Sequence, residues 1–261
     1  MIDTHAHLDD ESFSGDLPEV LQRAAEAGME AIVCPGIGAD SSEAVARLAG
    51  DHAILHAAVG IQPNYAAETA EGDWQRIVAL VDAGSAVALG ETGLDRYWDF
   101  APFDVQQDYF DRHLQLAQKR DLPVIVHCRE AESETLAMLR QAVARGLLRG
   151  VIHAFSGDRA FAEVCLDLGM HISFAGLVTY TNKKFDPLRE AAKIVPPDRL
   201  LIETDSPYLV PHPLRGKQKR NEPALLRHTA ECLAELRGVA ARELAAQATL
   251  NARALFGIQE R

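Results

Sequence analysis

Ile2-Asp3-Thr4-His5-Ala6-His7-Leu8 is the stretch on which the fold is decided. It reads as a short apolar strand running into polar residues. An open doubly wound sheet carries a glycine-rich turn directly after its first strand. A His-x-His pair occupies that position here, so the pattern points to another member of the α/β class. Seven further apolar runs follow, near 31–35, 54–60, 86–91, 123–128, 150–155, 170–175 and 200–204, and the first spans 2–7. Each is almost continuously apolar, as expected of parallel strands buried on both faces. Segments with helical spacing lie between them, including 17–28, 104–120, 133–145 and 222–237. In 17–28, Leu17, Val20, Leu21 and Ala24 form one stripe, which stops at Gly28. Eight strand–helix units with no linker or low-complexity tract predict a (β/α)8 barrel, a single domain over 1–261.

Composition fits this reading and narrows the function. With 261 residues and 48% hydrophobic residues the chain can bury a sizeable core. Twenty-six basic against 38 acidic side chains give a net charge of −12, which argues against a protein that coats nucleic acid with a broad basic face. Residues 1–5 show neither a basic region nor an apolar run, and no stretch is apolar for the roughly 18 residues a membrane span needs. Cys34, Cys128, Cys165 and Cys232 are far apart and fit reduced thiols in the cytoplasm rather than a disulfide framework.

In a (β/α)8 barrel, chemistry resides at the carboxyl ends of the strands. His5 and His7, two apart, project to one side about 6.6 Å apart along a strand. Such a pair suits a divalent metal, although two histidines on a half-exposed strand would look the same. Glu91 closes Val87-Ala88-Leu89, a costly place for a carboxylate unless it is paired or metal-bound. His127, His153 and Asp205 close three other runs, and four of the ten histidines in the chain thus terminate strands. One zinc takes three or four protein ligands. Six convergent groups (His5, His7, Glu91, His127, His153 and Asp205) with a carboxylate able to bridge fit two cations about 3.5–4 Å apart. Histidines suit Zn²⁺, while carboxylates and water also admit Mg²⁺ or Mn²⁺.

The connection 206–221 is long for this fold and holds Arg215, Lys217, Lys219 and Arg220, with Asn221 at its end. Lys183 and Lys184 follow the seventh run. These loops often hold phosphate in such barrels, although a charge run is as commonly a solvated surface. Arg129, two residues past His127, is a further oxyanion candidate. Tyr97, Trp98, Phe100 and Phe103 follow the fourth run; most are expected to plug the barrel mouth or pack on the next helix, with base stacking as the other reading.

The assembled motifs closely resemble the TatD family of metal-dependent deoxyribonucleases, amidohydrolase-like barrels. The resemblance spans essentially the whole chain. It is carried by Ile2-Asp3-Thr4-His5-Ala6-His7, Gly90-Glu91-Thr92-Gly93-Leu94-Asp95, Val126-His127-Cys128-Arg129, Val151-Ile152-His153-Ala154-Phe155-Ser156-Gly157, Glu203-Thr204-Asp205-Ser206-Pro207 and Lys219-Arg220-Asn221-Glu222-Pro223. It implies His5 and His7 on one metal, His127 and His153 on the other, Glu91 between them and Asp205 beside the attacking water. One departure stands out: Gly60-Ile61-Gln62-Pro63 carries Gln62 where the family commonly has histidine. Gln62 can hydrogen-bond substrate but cannot shuttle a proton near neutrality.

The expected activity is therefore metal-assisted phosphodiester hydrolysis of DNA from a strand end, with single-stranded DNA as substrate and no obligate protein partner. Asp205 would hold or deprotonate the water with Glu203 in support, while Arg129, Lys217, Lys219 and Arg220 neutralise phosphate charge. The alternative puts the same metals on a carbonyl, as an amidohydrolase or esterase acting on a small molecule or aminoacyl group. A metal-holding or nucleic-acid-binding scaffold without catalysis is the third reading.

Overall fold

The apolar runs form eight parallel strands of one sheet in the computed structural model, which describes residues 1–260. They are β1 (Ile2–Asp3), β2 (Ala31–Pro35), β3 (Leu55–Val59), β4 (Ala88–Asp95), β5 (Val124–Arg129), β6 (Gly150–Ile152), β7 (His171–Phe174) and β8 (Leu200–Ile202). Each strand pairs with the next. The N–H of Thr4 donates to the Ile202 carbonyl at 3.2 Å and that of Asp205 to the His5 carbonyl at 2.9 Å, which brings β8 back to β1 and nearly closes the barrel. Helices α1 (Leu17–Glu26), α2 (Ala39–Asp51), α3 (Asp73–Asp82), α4 (Phe103–Arg120), α5 (Glu132–Arg145), α6 (Arg159–Asp167), α7 (Asp186–Ile194) and α8 (Leu226–Arg237) alternate with the strands.

The continuous apolarity of the strands has a direct cause. In β2, Ala31 and Val33 join an inner cluster with Ile2, Ala58, Ala88, Ile125, Val151 and Leu201, while Ile32 and Cys34 face the helices. Both faces are buried, so neither tolerates polar residues. A ninth helix, α9 (Ala241–Phe256), is an addition to the eight expected units. It seals the amino-terminal end of the barrel by inserting Ala252, Leu255 and Phe256 into the inner cluster. Its Asn251 amide donates to the carbonyls of Pro197 (2.7 Å) and Leu200 (2.8 Å), tying it to β8. All four cysteines are free, and no helix of the described residues is long and apolar enough to cross a membrane.

Strand ends differ from expectation where the chain turns polar. β1 stops at Asp3 rather than reaching His7, and β6 and β8 stop at Ile152 and Ile202, one residue before His153 and Glu203. β4 instead continues past Glu91 to Asp95. Its register against β5 shifts between Leu89 and Thr92, the signature of a bulge with one extra residue. Glycine is required there: a Cβ on Gly93 (φ 142°) would lie 2.0 Å from the His127 carbonyl oxygen. The bulge therefore lets β4 and β5 approach closely and places Glu91 within a strand, at the barrel mouth.

Candidate metal centre

Glu91 is the hub of the site and is almost fully buried. Its Oε2 lies 3.3 Å from His5 Nε2 and 3.5 Å from His7 Nε2. Its Oε1 lies 2.8 Å from His127 Nδ1 and 3.1 Å from His153 Nε2. One carboxylate thus divides its two oxygens between two histidine pairs. The Nε2 atoms of His5 and His7 are 3.1 Å apart, and His153 Nε2 is 3.4 Å from His127 Nδ1. His5 and His153 stack with ring centroids 4.0 Å apart, joining the two halves. Asp205 Oδ1 stands 3.8 Å from His5 Nε2 and 3.6 Å from His7 Nε2. The six groups expected to converge do so, although His5, His7, His153 and Asp205 are carried by the segments just past their strands. Asp205 adopts φ 56° and Ala154 φ 41°, uncommon for non-glycine residues and concentrated at functional sites.

Outer carboxylates stand behind two of the four rings, His127 and His153. His127 Nε2 lies 2.9 Å from Asp95 Oδ2. His153 Nδ1 lies 3.3 Å from Glu203 Oε1, an oxygen that also accepts the Ala154 N–H at 2.6 Å. Carboxylates outside require N–H groups on the outer nitrogens, so the inner nitrogens present lone pairs. Lone pairs converging on one another and on a carboxylate, out of water, need positive charge between them. Burial works against charge on His153, but Glu91 and Glu203 outweigh it and hold the ring well above the ordinary range. Burial and His153 push His5 down to about 4. Burial also opposes charge on Glu91, yet His153 and the other imidazoles hold its carboxyl well below the usual range. Burial pushes the Asp205 carboxyl up to about 7. This donor set fits divalent cations: three groupings (His5, His7, Glu91; Glu91, His127, His153; His5, His153, Asp205) each place their ligand atoms within 4.8 Å of one another.

The remaining expected residues divide. Glu203 is fully buried and faces His153, Ala154 and Thr4. Gln62 uses its carbonyl oxygen to accept the Asn64 N–H at 2.7 Å, capping a short 3₁₀ turn. Asn221 is buried and donates to the Thr204 carbonyl at 2.9 Å, pinning the long loop to the barrel. Arg220 forms a two-pronged pair with Asp16, both contacts 2.7 Å, which turns its guanidinium toward the start of α1. Arg215 lies 4.1 Å over the Tyr180 ring. Lys217 and Lys219, with Lys183 and Lys184, are exposed. Arg129 lies 3.7 Å over Tyr97 and meets no carboxylate among the described residues.

The aromatic loop overturns the expectation of a plug. Phe103 packs against the core, but Tyr97, Trp98 and Phe100 are 48%, 42% and 62% exposed. The cause is Asp95: its Oδ1 accepts the N–H of Tyr97 (2.8 Å) and of Trp98 (3.0 Å), bending the chain so that the rings point outward. Asp95 escaped the sequence reading, as did Asp3. The latter is buried behind His5 and accepts the Thr204 N–H at 2.9 Å and hydroxyl at 2.6 Å, clasping the first motif to the last.

Fold and site together define a barrel with a carboxylate-centred histidine cluster that could hold metal ions. The chain belongs to the TatD-related DNase family, whose model matches residues 2–257. It is 38% identical over 258 residues to the Bacillus subtilis protein named "Uncharacterized metal-dependent hydrolase YabD", covering 99% of both chains. It is 37% identical over 261 residues to the Erwinia amylovora "3'-5' ssDNA/RNA exonuclease TatD", covering 99% of this chain and all of that one. Among solved structures it superposes on the TatD homologue YJJV from Escherichia coli K12 with a TM-score of 0.91 and 33% identity, covering 99% and 98% of the two chains.

Proposed function

We propose that this chain is a metal-dependent exonuclease that hydrolyses phosphodiester bonds at the ends of single-stranded DNA. The observation that carries the reading is the division of Glu91 between two inward-facing histidine pairs, within a family described as DNases. His5, His7 and Asp205 around one Glu91 oxygen, and His127 and His153 around the other, are the groups that would hold two divalent cations, Zn²⁺, Mg²⁺ or Mn²⁺. Cations held there supply charge neutralisation to a phosphodiester and acidify water near neutral pH. Asp205 would hold or deprotonate the attacking water. Asp95 and Glu203 keep His127 and His153 in the tautomers that leave their inner nitrogens free. Arg129, Lys217 and Lys219 offset phosphate charge as the strand end arrives. The relatives named as ssDNA/RNA exonucleases support this substrate over a carbonyl compound. The acidic net charge fits an enzyme that touches a strand end briefly rather than one that coats a duplex.

Incubation of the purified chain with single-stranded oligonucleotides labelled at either end, with each of the three cations in turn, tests the reading. Stepwise release of mononucleotides that chelator stops is expected. Absence of cleavage with all three cations would overturn it.

A further inference from the structure

The described residues include five exposed large aromatics: Tyr65, Tyr97, Trp98, Phe100 and Tyr208. All five stand on segments that follow strands at the mouth of the barrel, beside the metal centre. Tyr208 has its ring 6.1 Å from that of His7. Three others form a ladder on the opposite side, next to His127. The Tyr97 and Trp98 rings are edge-to-face at 4.8 Å, and Trp98 and Phe100 stack at 5.2 Å with planes 9° apart. Arg129 lies over the Tyr97 end of this ladder, 3.7 Å from the ring centroid, and meets no carboxylate among the described residues.

The ladder is held from both ends. Asp95 fixes its start through the N–H groups of Tyr97 and Trp98. Gln106 fixes its end: its amide donates to the Ala101 carbonyl at 3.0 Å while its carbonyl accepts the Asp95 N–H at 2.9 Å. The same Asp95 that shapes the loop holds His127. Large apolar rings kept in water on a fixed loop carry a cost that folding alone gives no reason to retain. The parallel faces of Trp98 and Phe100, a guanidinium that meets a ring but no carboxylate among the described residues, and the link through Asp95 to His127 match a single strand, whose bases offer π-faces and whose backbone offers negative charge.

We propose that Tyr97, Trp98 and Phe100 with Arg129 form a base-stacking subsite that grips the nucleotide next to the scissile phosphate. It rests on the reading that the substrate is single-stranded nucleic acid. Because Asp95 and Gln106 hold the loop at both ends, less is lost on binding, and the stacking contribution goes into holding the strand.

The test compares a single-stranded oligodeoxynucleotide with the same strand carrying a tetrahydrofuran abasic residue beside the scissile bond. Wild type is expected to lose roughly 5- to 150-fold in kcat/KM on the abasic strand, the range of one stacked base. Trp98→Ala and Phe100→Ala are expected to lose a comparable factor on the normal strand and little more on the abasic one, because each change removes the same contact; Trp98→Phe retains most of it. Equal losses on both strands, or a wild type indifferent to the base, would overturn the subsite while leaving the nuclease reading intact. If neither strand is cleaved, that reading fails separately, and chelator-stripped protein decides the subsite. Quenching of Trp98 emission, isolated against Trp98→Phe, by the normal strand but not the abasic one supports it; equal or absent quenching contradicts it.

Discussion

Asp95 Oδ2 receives the Nε2 proton of His127 at 2.9 Å, while its other oxygen is occupied by two backbone N–H groups of the following loop. One carboxylate therefore sets both the tautomer of a candidate metal ligand and the shape of the adjoining surface. In Asp95→Asn the side-chain oxygen is needed by those backbone donors, so the new NH₂ faces His127. The imidazole must then accept at Nε2 and carry its proton at Nδ1, where a cation needs a lone pair. Cation affinity is expected to fall about 10- to 100-fold, the usual effect of losing a partner behind a ligand. Calorimetric titration of stripped protein with Mn²⁺ or Zn²⁺ measures this; unchanged affinity would show that Asp95 does not direct the ring.

The cationic loop after β8 should divide into two behaviours. Lys217 and Lys219 are exposed and meet no acid among the described residues, whereas Arg220 is engaged with Asp16. Replacing both lysines with alanine is expected to raise KM for an oligonucleotide and flatten the slope of log KM against log salt concentration by up to about 1.4, the value for two contacts to a single strand. Arg220→Ala should leave the slope close to wild type and instead lower the thermal midpoint.

Asn221→Ala removes the side-chain N–H that the buried Thr204 carbonyl accepts and loosens the anchor of loop 206–221. Leaving a buried acceptor without a partner costs about 1–3 kcal/mol. Denaturant unfolding should show the midpoint concentration lowered by that free energy divided by the m-value, with the m-value itself unchanged.

His113 on α4 provides a pH signature away from the metal centre. Its Nδ1–H donates to the Tyr109 carbonyl at 2.6 Å and its Nε2 accepts the Ile61 N–H at 3.0 Å, a fully satisfied neutral ring. Burial pushes it down to about 4. Between pH 4 and about 6.5 the unfolded chain binds a proton that the folded chain excludes, so stability falls as pH drops through that window. Wild type should lose about 2 kcal/mol more than His113→Gln between pH 7 and pH 5. Parallel pH profiles for the two proteins would rule this linkage out.

Much of this arrangement is visible in the linear sequence, for identifiable reasons. Strands buried on both faces leave unbroken apolar runs such as Val124-Ile125-Val126, and a histidine or acid directly after such a run has little reason to be there except chemistry. Asp95 stands in the Gly90–Asp95 motif, but its role is not legible there, because the expected strand stops at Glu91 whereas the bulge keeps β4 extended to Asp95 beside β5. Helix α9 shows its stripe in Leu244, Ala248, Ala252 and Leu255, yet its place beneath the barrel depends on contacts with residues some 200 positions away. For Arg220 and Asn221, residue type suggested phosphate binding, but partners distant in sequence, Asp16 and Thr204, claim them. Exposure of Trp98 and Phe100 likewise follows from hydrogen bonds that composition cannot show.

Glu91→Gln, titrated with cation in parallel with an oligonucleotide digestion, tests the central claim that one shared carboxylate organises the centre. Chelator-stripped wild type should take up two equivalents of cation per chain, with cleavage appearing as they bind. The isosteric variant, with the charge between the two histidine pairs removed, should fail to fill either position at the same free cation concentration and should be inactive. Wild-type affinity and cleavage in Glu91→Gln, or cleavage by wild type in excess chelator, would contradict the account.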